Sequence, residues 1–167
     1  ADDAVRVDAH PNDAFQVASE IANYAKDNGY DMVLCGKETI DYNGSQVGGM
    51  IAELMELPYI SLAVKLDVNG TLATIERDVQ GGTEVVEVSG AFVLSASKGM
   101  AEQRIPNMRG IMQARTKPLT VVPASGSSTM TEVVSYELPP AKTACKMVDA
   151  EDMDELISLL HNEAKVI

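Results

Sequence analysis

The segment from residue 35 to residue 49 contains the residue types best suited to ligand binding. It holds Cys35, four glycines, Lys37, Asp41, Asn43 and Ser45, and it separates an apolar strand-like run at 32–35 from an apolar helical pattern at 50–57. In open α/β sheets, ligands bind where strands end. A helix N-terminus adds free backbone N–H groups suited to a phosphate. The segment matches neither the dinucleotide fingerprint nor the P-loop, so two interpretations stay open: a nucleotide loop, or a surface connection with turn glycines.

A second candidate segment, residues 104–115, combines arginine with methionine. Arg104, Arg109 and Arg115 form a local positive cluster in a chain with net charge −12. Methionine adapts to varied surfaces and arginine is enriched at interfaces. The segment is interpreted either as a protein-docking loop or as the start of a helix packed on the core, with a short helix expected from Gly110.

The remaining reactive residue types indicate no catalytic centre and no metal site. His10 and His161 stand alone, without acidic or cysteine companions at ligand spacing. Cys35 ends an apolar run and is interpreted as a small core residue, with a place beside a ligand as the alternative. Cys145 is interpreted as an inert thiol despite nearby lysines. No serine, histidine and acidic residue form a recognisable nucleophile setting.

Composition excludes several classes of protein. The chain has 167 residues with 25 acidic and 13 basic side chains, and a net charge of −12 disfavours binding to nucleic acid or to anionic membranes. No run approaches the roughly 20 apolar residues of a membrane span, so we expect no membrane insertion. Two cysteines are typical of a reducing compartment, which predicts a cytoplasmic protein.

The hydrophobic pattern predicts an α/β fold. Apolar residues alternate between strand-like and helical spacing in the first half, as in a parallel sheet with helical crossovers. Period-2 alternation on both sides of residues 80–82 predicts an antiparallel hairpin. The Ser-, Thr- and Gly-rich residues 124–130 predict a linker. The remaining predicted elements are strands at 4–7, 32–35, 59–64 and 92–94, helices at 13–28, 50–57 and 151–164, and an extended arm at 133–138.

Three segments together resemble the beta subunits of electron transfer flavoproteins, over essentially the whole chain. Residues 35–41 with Asn43, Gln46 and Gly48 look like that family's adenine-nucleotide loop. Residues 75–86 look like its signature hairpin, and residues 102–115 look like its recognition loop and following helix. Two departures are Ala91, where proline is usual, and Ser95, where Thr, Ala or Cys is usual.

The resemblance implies a Rossmann-like, adenine-nucleotide-binding α/β/α sheet with an antiparallel hairpin and an extended C-terminal arm plus helix. It also implies that the family's N-terminal third is missing from this chain. Residues 1–123 would be a partial nucleotide-binding domain and residues 124–167 an arm and helix packing on the partner subunit. The nucleotide would be AMP or a second FAD, and the Gln46-Val47-Gly48 form favours FAD. The implied cofactor-binding residues are Cys35, Gly36, Lys37, Asp41, Asn43, Gly44, Ser45, Gln46 and Val47.

The resemblance further implies an electron carrier rather than an enzyme. Its alpha subunit would hold most of the redox FAD, and acyl-CoA dehydrogenases of fatty acid oxidation would dock at Arg104, Met108, Arg109 and Met112, with Met108 as the apolar anchor. The alternative is an adenine-nucleotide-binding module without a redox role, similar to a stress protein. That alternative needs a glycine-rich phosphate loop near its C-terminal end, where only residues 125–128 offer anything similar.

Overall fold

The computed structural model describes residues 3–142 and 144–167. The chain divides into two compact units, Ala1–Val133 and Val134–Ile167. The elements of the first unit are β1 (Ala4–Asp8), α1 (Ala14–Asp27), β2 (Met32–Gly36), α2 (Val47–Met55), β3 (Tyr59–Asn69), β4 (Leu72–Val79), β5 (Gly82–Ser89), β6 (Phe92–Ala96), α3 (Met108–Ala114) and β7 (Leu119–Pro123). The second unit contains α4 (Met153–Ser158), which continues as a π-helix (Leu159–Ala164).

A five-stranded mixed sheet in the order β2-β6-β3-β4-β5 forms the centre of the first unit. β2 and β3 both pair in parallel with β6, whereas β3, β4 and β5 are successively antiparallel. This arrangement confirms the predicted α/β class and the hairpin around residues 80–82. One expectation was wrong, because β1 does not join that sheet: it pairs in parallel with β7, and Ala4 lies opposite Leu119.

Two hydrophobic clusters lie on opposite sides of β6. On one side, Val93 packs with small and aliphatic residues of α1 and α2, including Ala18, Ala22 and Ile51. Because side chains alternate along a strand, Phe92 and Leu94 lie on the opposite face of the sheet from Val93. There they pack with residues of β3, β4 and β5. β6 is therefore buried on both faces, as its uninterrupted apolar sequence predicts.

β3 changes partner along its length at a bulge. Its register with β6 shifts between Ile60 and Ala63, and Leu62 has a φ of 57°. A left-handed backbone is a true outlier for leucine. Buried Ser95 compensates, because its Oγ accepts a hydrogen bond of 3.1 Å from the Leu62 N–H. The bend lets β3 pair first in parallel with β6 and then antiparallel with β4.

Aspartate side chains cap the starts of α1 and α4. The Asp13 carboxylate caps α1 by accepting from the Gln16 N–H at 2.7 Å. α1 ends at Asn28, and Gly29 follows with a φ of 67°. In the second unit, Asp152 caps α4 through the Glu155 N–H at 2.9 Å. The helix predicted at 151–164 begins at Met153, two residues later than predicted, and it is α-helical only to Ser158.

Candidate functional site

The candidate ligand loop, residues 37–46, leaves the carboxyl end of β2 and enters α2. Its two ends are tied by polar contacts through Glu38. Lys37 Nζ lies 3.1 Å from one Glu38 carboxylate oxygen, and Ser45 Oγ donates to the other at 3.1 Å. The hydrogen bond from Lys37, with a smaller one from Ser45, holds the pKa of Glu38 below its ordinary value. The loop therefore closes on itself beside the start of α2.

The backbone of the loop is left-handed at two residues that are not glycine. Asn43 has a φ of 48° and Ser45 a φ of 50°. The Asn43 N–H donates to the Thr39 carbonyl at 2.9 Å, which closes a turn. Asparagine tolerates this conformation better than most residues, but serine is strained there. Such strain clusters at ligand-binding segments, where the surrounding contacts hold it.

Gly44 lies between these two residues without needing to be glycine for its own backbone. Its φ is not in the left-handed range. An added Cβ would meet only the Gln46 side chain, at 3.6 Å, which is ordinary contact. Neither turn geometry nor packing within the chain therefore explains this glycine, so the turn interpretation of the sequence does not account for it. The remaining explanation is that a glycine at this position leaves the backbone accessible to a ligand.

Gly48 and Gly49 have a packing role. A Cβ on Gly48 would lie 3.1 Å from both Cε2 and Oη of Tyr59, the first residue of β3. At Gly49 the nearest Tyr59 atom would be 3.5 Å away. The absent side chains thus let the first turn of α2 approach β3 closely, which fixes where the helix begins.

The N-terminus of α2 keeps backbone donors for a ligand. The first N–H groups of a helix have no partner within the helix. Gln46 occupies the N-cap position but makes no side-chain capping hydrogen bond. Val47, the next residue, is half-buried against the cluster formed by α1 and α2. A closed loop with an exposed glycine beside an uncapped helix end is suited to hold a phosphate by backbone N–H groups.

Cys35 lies at the end of β2, where strand and loop meet. It is half-buried and packs against the cluster that contains Val93. Burial raises the pKa of the Cys35 thiol, so it stays protonated at neutral pH. A neutral thiol at this position can line a ligand pocket but is a poor nucleophile.

The structure brings the predicted cofactor-binding residues to one edge of the sheet. Cys35 and Gly36 end β2, and Gln46 and Val47 begin α2. The exposed loop between them carries the other predicted residues, Lys37, Asp41, Asn43, Gly44 and Ser45. Sequence reasoning missed Glu38, which joins Lys37 to Ser45. The only signal for it was an acidic residue next to a lysine.

The candidate docking segment, residues 104–115, is exposed in the structure. α3 has no buried residue, so the alternative of a helix packed on the core is wrong. Asn107 caps α3 by accepting from the Gly110 N–H at 2.8 Å, which places Met108 rather than Gly110 at the helix start. Met108 is 73% exposed, and Ile105, which sequence reasoning missed, is 87% exposed.

Three arginines lie in the same segment as these apolar side chains. Arg104, Arg109 and Arg115 are exposed, and within residues 3–142 and 144–167 none of them lies in an ion pair. Met112, on the next turn of α3, is exposed as well. The predicted docking residues Arg104, Met108, Arg109 and Met112 thus share one exposed segment that contains both positive charge and apolar side chains.

Residues 1–127 match the family model described as the electron transfer flavoprotein domain. The chain belongs to the electron transfer flavoprotein family. It is 35% identical over 165 residues to the electron transfer flavoprotein subunit beta of Bacillus subtilis (strain 168), which covers 93% of this chain and 64% of that protein. The same-named subunit of Syntrophomonas wolfei is 33% identical over 139 residues, covering 83% and 55%. That of Sus scrofa is 29% identical over 163 residues, covering 95% and 63%.

This member of the electron transfer flavoprotein family therefore spans between about half and two thirds of these relatives. The matched region contains the ligand loop, the hairpin and the docking segment. Within the part of the chain that the structure describes, no helix is long and apolar enough to cross a bilayer. In that same part, no three His, Cys, Asp or Glu side chains converge as a metal site would require.

Proposed function

We propose that this chain forms part of an electron transfer flavoprotein beta subunit, which passes electrons between flavoproteins and binds an adenine nucleotide in the loop at residues 37–46. The observation that carries the proposal is the loop itself: in a chain of this family, it joins the end of β2 to the uncapped start of α2. The nucleotide is AMP or FAD. When FAD is bound, its flavin supplies the redox chemistry.

The residues of the loop fit a phosphate group. The exposed backbone at Gly44 gives access, and the left-handed residues on either side set the direction of the chain. The α2 N-terminus supplies donors and a partial positive charge. Lys37 adds a full charge, which Glu38 partly neutralises in the absence of a ligand.

A valine at position 44 tests the nucleotide site. We expect Gly44→Val to reduce the nucleotide retained on the purified complex about tenfold or more, since loss of one good phosphate contact costs more than about 1.4 kcal/mol. Gly82→Val is the matched control, because Gly82 also has a φ outside the left-handed range and open space around it, but lies in the hairpin. Extraction and mass spectrometry measure the nucleotide and identify it as AMP or FAD. Full retention in Gly44→Val contradicts the site.

We further propose two partners for the exposed surfaces. We assign exposed Ile105 and Met108, which lie in a segment with three exposed arginines, to docking of acidic dehydrogenase surfaces such as those of acyl-CoA dehydrogenases. The second unit, with Val134, Tyr136 and Leu138 exposed, is assigned to the alpha subunit. An exposed aromatic and aliphatic arm is typical of segments that become buried on a partner.

The docking assignment predicts slower electron transfer without loss of cofactor. Ile105→Ala and Met108→Ala should each lower the rate of reduction by an acyl-CoA dehydrogenase about tenfold, as expected for a central apolar anchor. The flavin absorption spectrum should stay unchanged. Met130→Ala is the control, because Met130 is 71% exposed but lies outside the docking segment. Unaltered rates in both test variants would refute the assignment.

A further inference from the structure

Residues 125–131, whose composition predicts a linker, are hydrogen bonded to α1. The Glu20 carboxylate receives two backbone N–H groups, from Ser125 at 2.7 Å and from Ser127 at 3.2 Å. The Ser125 hydroxyl adds a 2.9 Å contact with the Ser127 hydroxyl and accepts from Asn23 Nδ2 at 3.0 Å. Both oxygens of one carboxylate are thus directed at a single turn of chain more than 100 residues away.

A second carboxylate, on Asp13 and about two helical turns before Glu20, holds the other end of this segment. Asp13 Oδ2 accepts from the backbone N–H groups of Met130 at 2.5 Å and Thr131 at 2.9 Å. Its other oxygen caps α1 through Gln16. One side chain therefore starts the helix and holds the distant segment at the same time, with a different oxygen for each task.

The arrangement at Glu20 depends on both partners. Glu20 is only 6% exposed, and a buried carboxylate is costly unless hydrogen-bonded. Residues 125–131 offer few apolar side chains, so packing alone would not hold them. Backbone N–H groups pointing at an ionised carboxylate make strong, charge-assisted hydrogen bonds. These bonds lower the pKa of Glu20, mainly through Ser125, and help the Gln16 N–H to lower that of Asp13.

We infer that Asp13 and Glu20 form a carboxylate clamp that fixes residues 125–131 along α1. The clamp ends three residues before Val134, where the second unit begins. It therefore fixes the C-terminal end of the first unit along α1. The clamp is a property of this chain's own contacts and does not rest on the proposed electron transfer.

Amide substitutions test the clamp without changing side-chain shape. In Glu20→Gln one acceptor oxygen becomes an NH₂ donor, so we expect hydrogen exchange at the Ser125 and Ser127 amides to accelerate about tenfold or more. Asp13→Asn should accelerate exchange at Met130 and Thr131. Its remaining carbonyl oxygen can still cap α1. Glu53→Gln, at an exposed position on α2, is the control that should change none of these rates.

Hydrogen exchange in the unaltered protein is the first decisive measurement. Unprotected amides at Ser125, Ser127, Met130 and Thr131, or unchanged rates in the Asp13→Asn, Glu20→Gln double variant, overturn the clamp.

A pH titration by NMR tests the clamp even if a variant fails to fold. The amide proton shifts of Ser125 and Ser127 in the unaltered protein should follow the protonation of Glu20. Among the described residues, Tyr24 and Asp27 line a surface pocket together with Glu20 and Ser125, and Asp13 binds the other end of the segment, so these three ionisable groups must be assigned as well. Amide shifts that follow Asp27 instead, or that do not titrate, overturn the clamp.

Discussion

Replacing Gly48 by alanine tests the contact that holds α2 against β3. Two effects oppose each other. Alanine favours a helix over glycine by up to about 0.5–1 kcal/mol. The new Cβ, however, would lie 3.1 Å from two atoms of the Tyr59 ring, so the ring or the helix must move by a few tenths of an ångström. Overpacking of this kind costs about 1–3 kcal/mol. We therefore expect Gly48→Ala to lower the free energy of unfolding by about 1 kcal/mol.

The neighbouring glycine provides the matched control. At Gly49 the added Cβ would be 3.5 Å from the Tyr59 ring, an ordinary contact. Only the helix preference then remains, and Gly49→Ala should raise the free energy of unfolding by up to about 0.5–1 kcal/mol. Urea denaturation followed by circular dichroism measures both variants. The reasoning fails if Gly48→Ala is as stabilising as Gly49→Ala, because the Tyr59 contact would then not constrain α2.

Three further predictions concern individual buried or clamped groups. Ser95→Ala should lower the free energy of unfolding by about 1–3 kcal/mol, since the Leu62 N–H loses its acceptor; no change in urea titration would mean that this N–H finds another acceptor. The lowered pKa of Glu20 stabilises the fold fully above the ordinary carboxyl pKa of about 4.3, and this stabilisation is lost as the pH falls through the lower folded-state pKa. The gap in urea midpoint between wild type and Glu20→Gln should therefore be present at neutral pH and shrink on acidification; a gap that widens contradicts the clamp. Because burial raises the pKa of Cys35, iodoacetamide should alkylate it more slowly than exposed Cys145. Peptide mass spectrometry measures both rates, and faster alkylation of Cys35 would contradict this expectation.

The local elements could be predicted because their signals lie within a few residues. Asp13 precedes an apolar 3.6-residue pattern, and that pattern ends at Asn28, so the limits of α1 follow from capping chemistry alone. The turn at Gln80 and Gly81 between two alternating runs similarly predicts the β4–β5 hairpin. The candidate loop was predicted by the same means, since it separates an apolar strand from a helix.

Features set by distant residues could not be predicted. The pairing of β1 with β7 joins residues more than 100 positions apart, and the sequence of neither strand indicates which strand it pairs with. The left-handed Leu62 is contrary to the preference of leucine and depends on the hydroxyl of Ser95 from another strand. The Ser-rich segment after β7 has the composition of a linker. It could not be predicted as ordered, because a carboxylate on α1 holds it rather than its own side chains.

β2 has the sequence of an interior strand but lies at the edge of the five-stranded sheet. Its run from Met32 to Cys35 has no charge, proline or polar alternation, and Leu34 is 52% exposed. Among the described residues, β6 is its only partner strand. Edges of this kind are templates for pairing with other chains, and proteins usually protect them with lysine, proline or a bulge. In the described structure the unpaired backbone of β2 is therefore open to pairing with a further strand, and the strong acidity of the chain opposes such pairing between its own copies.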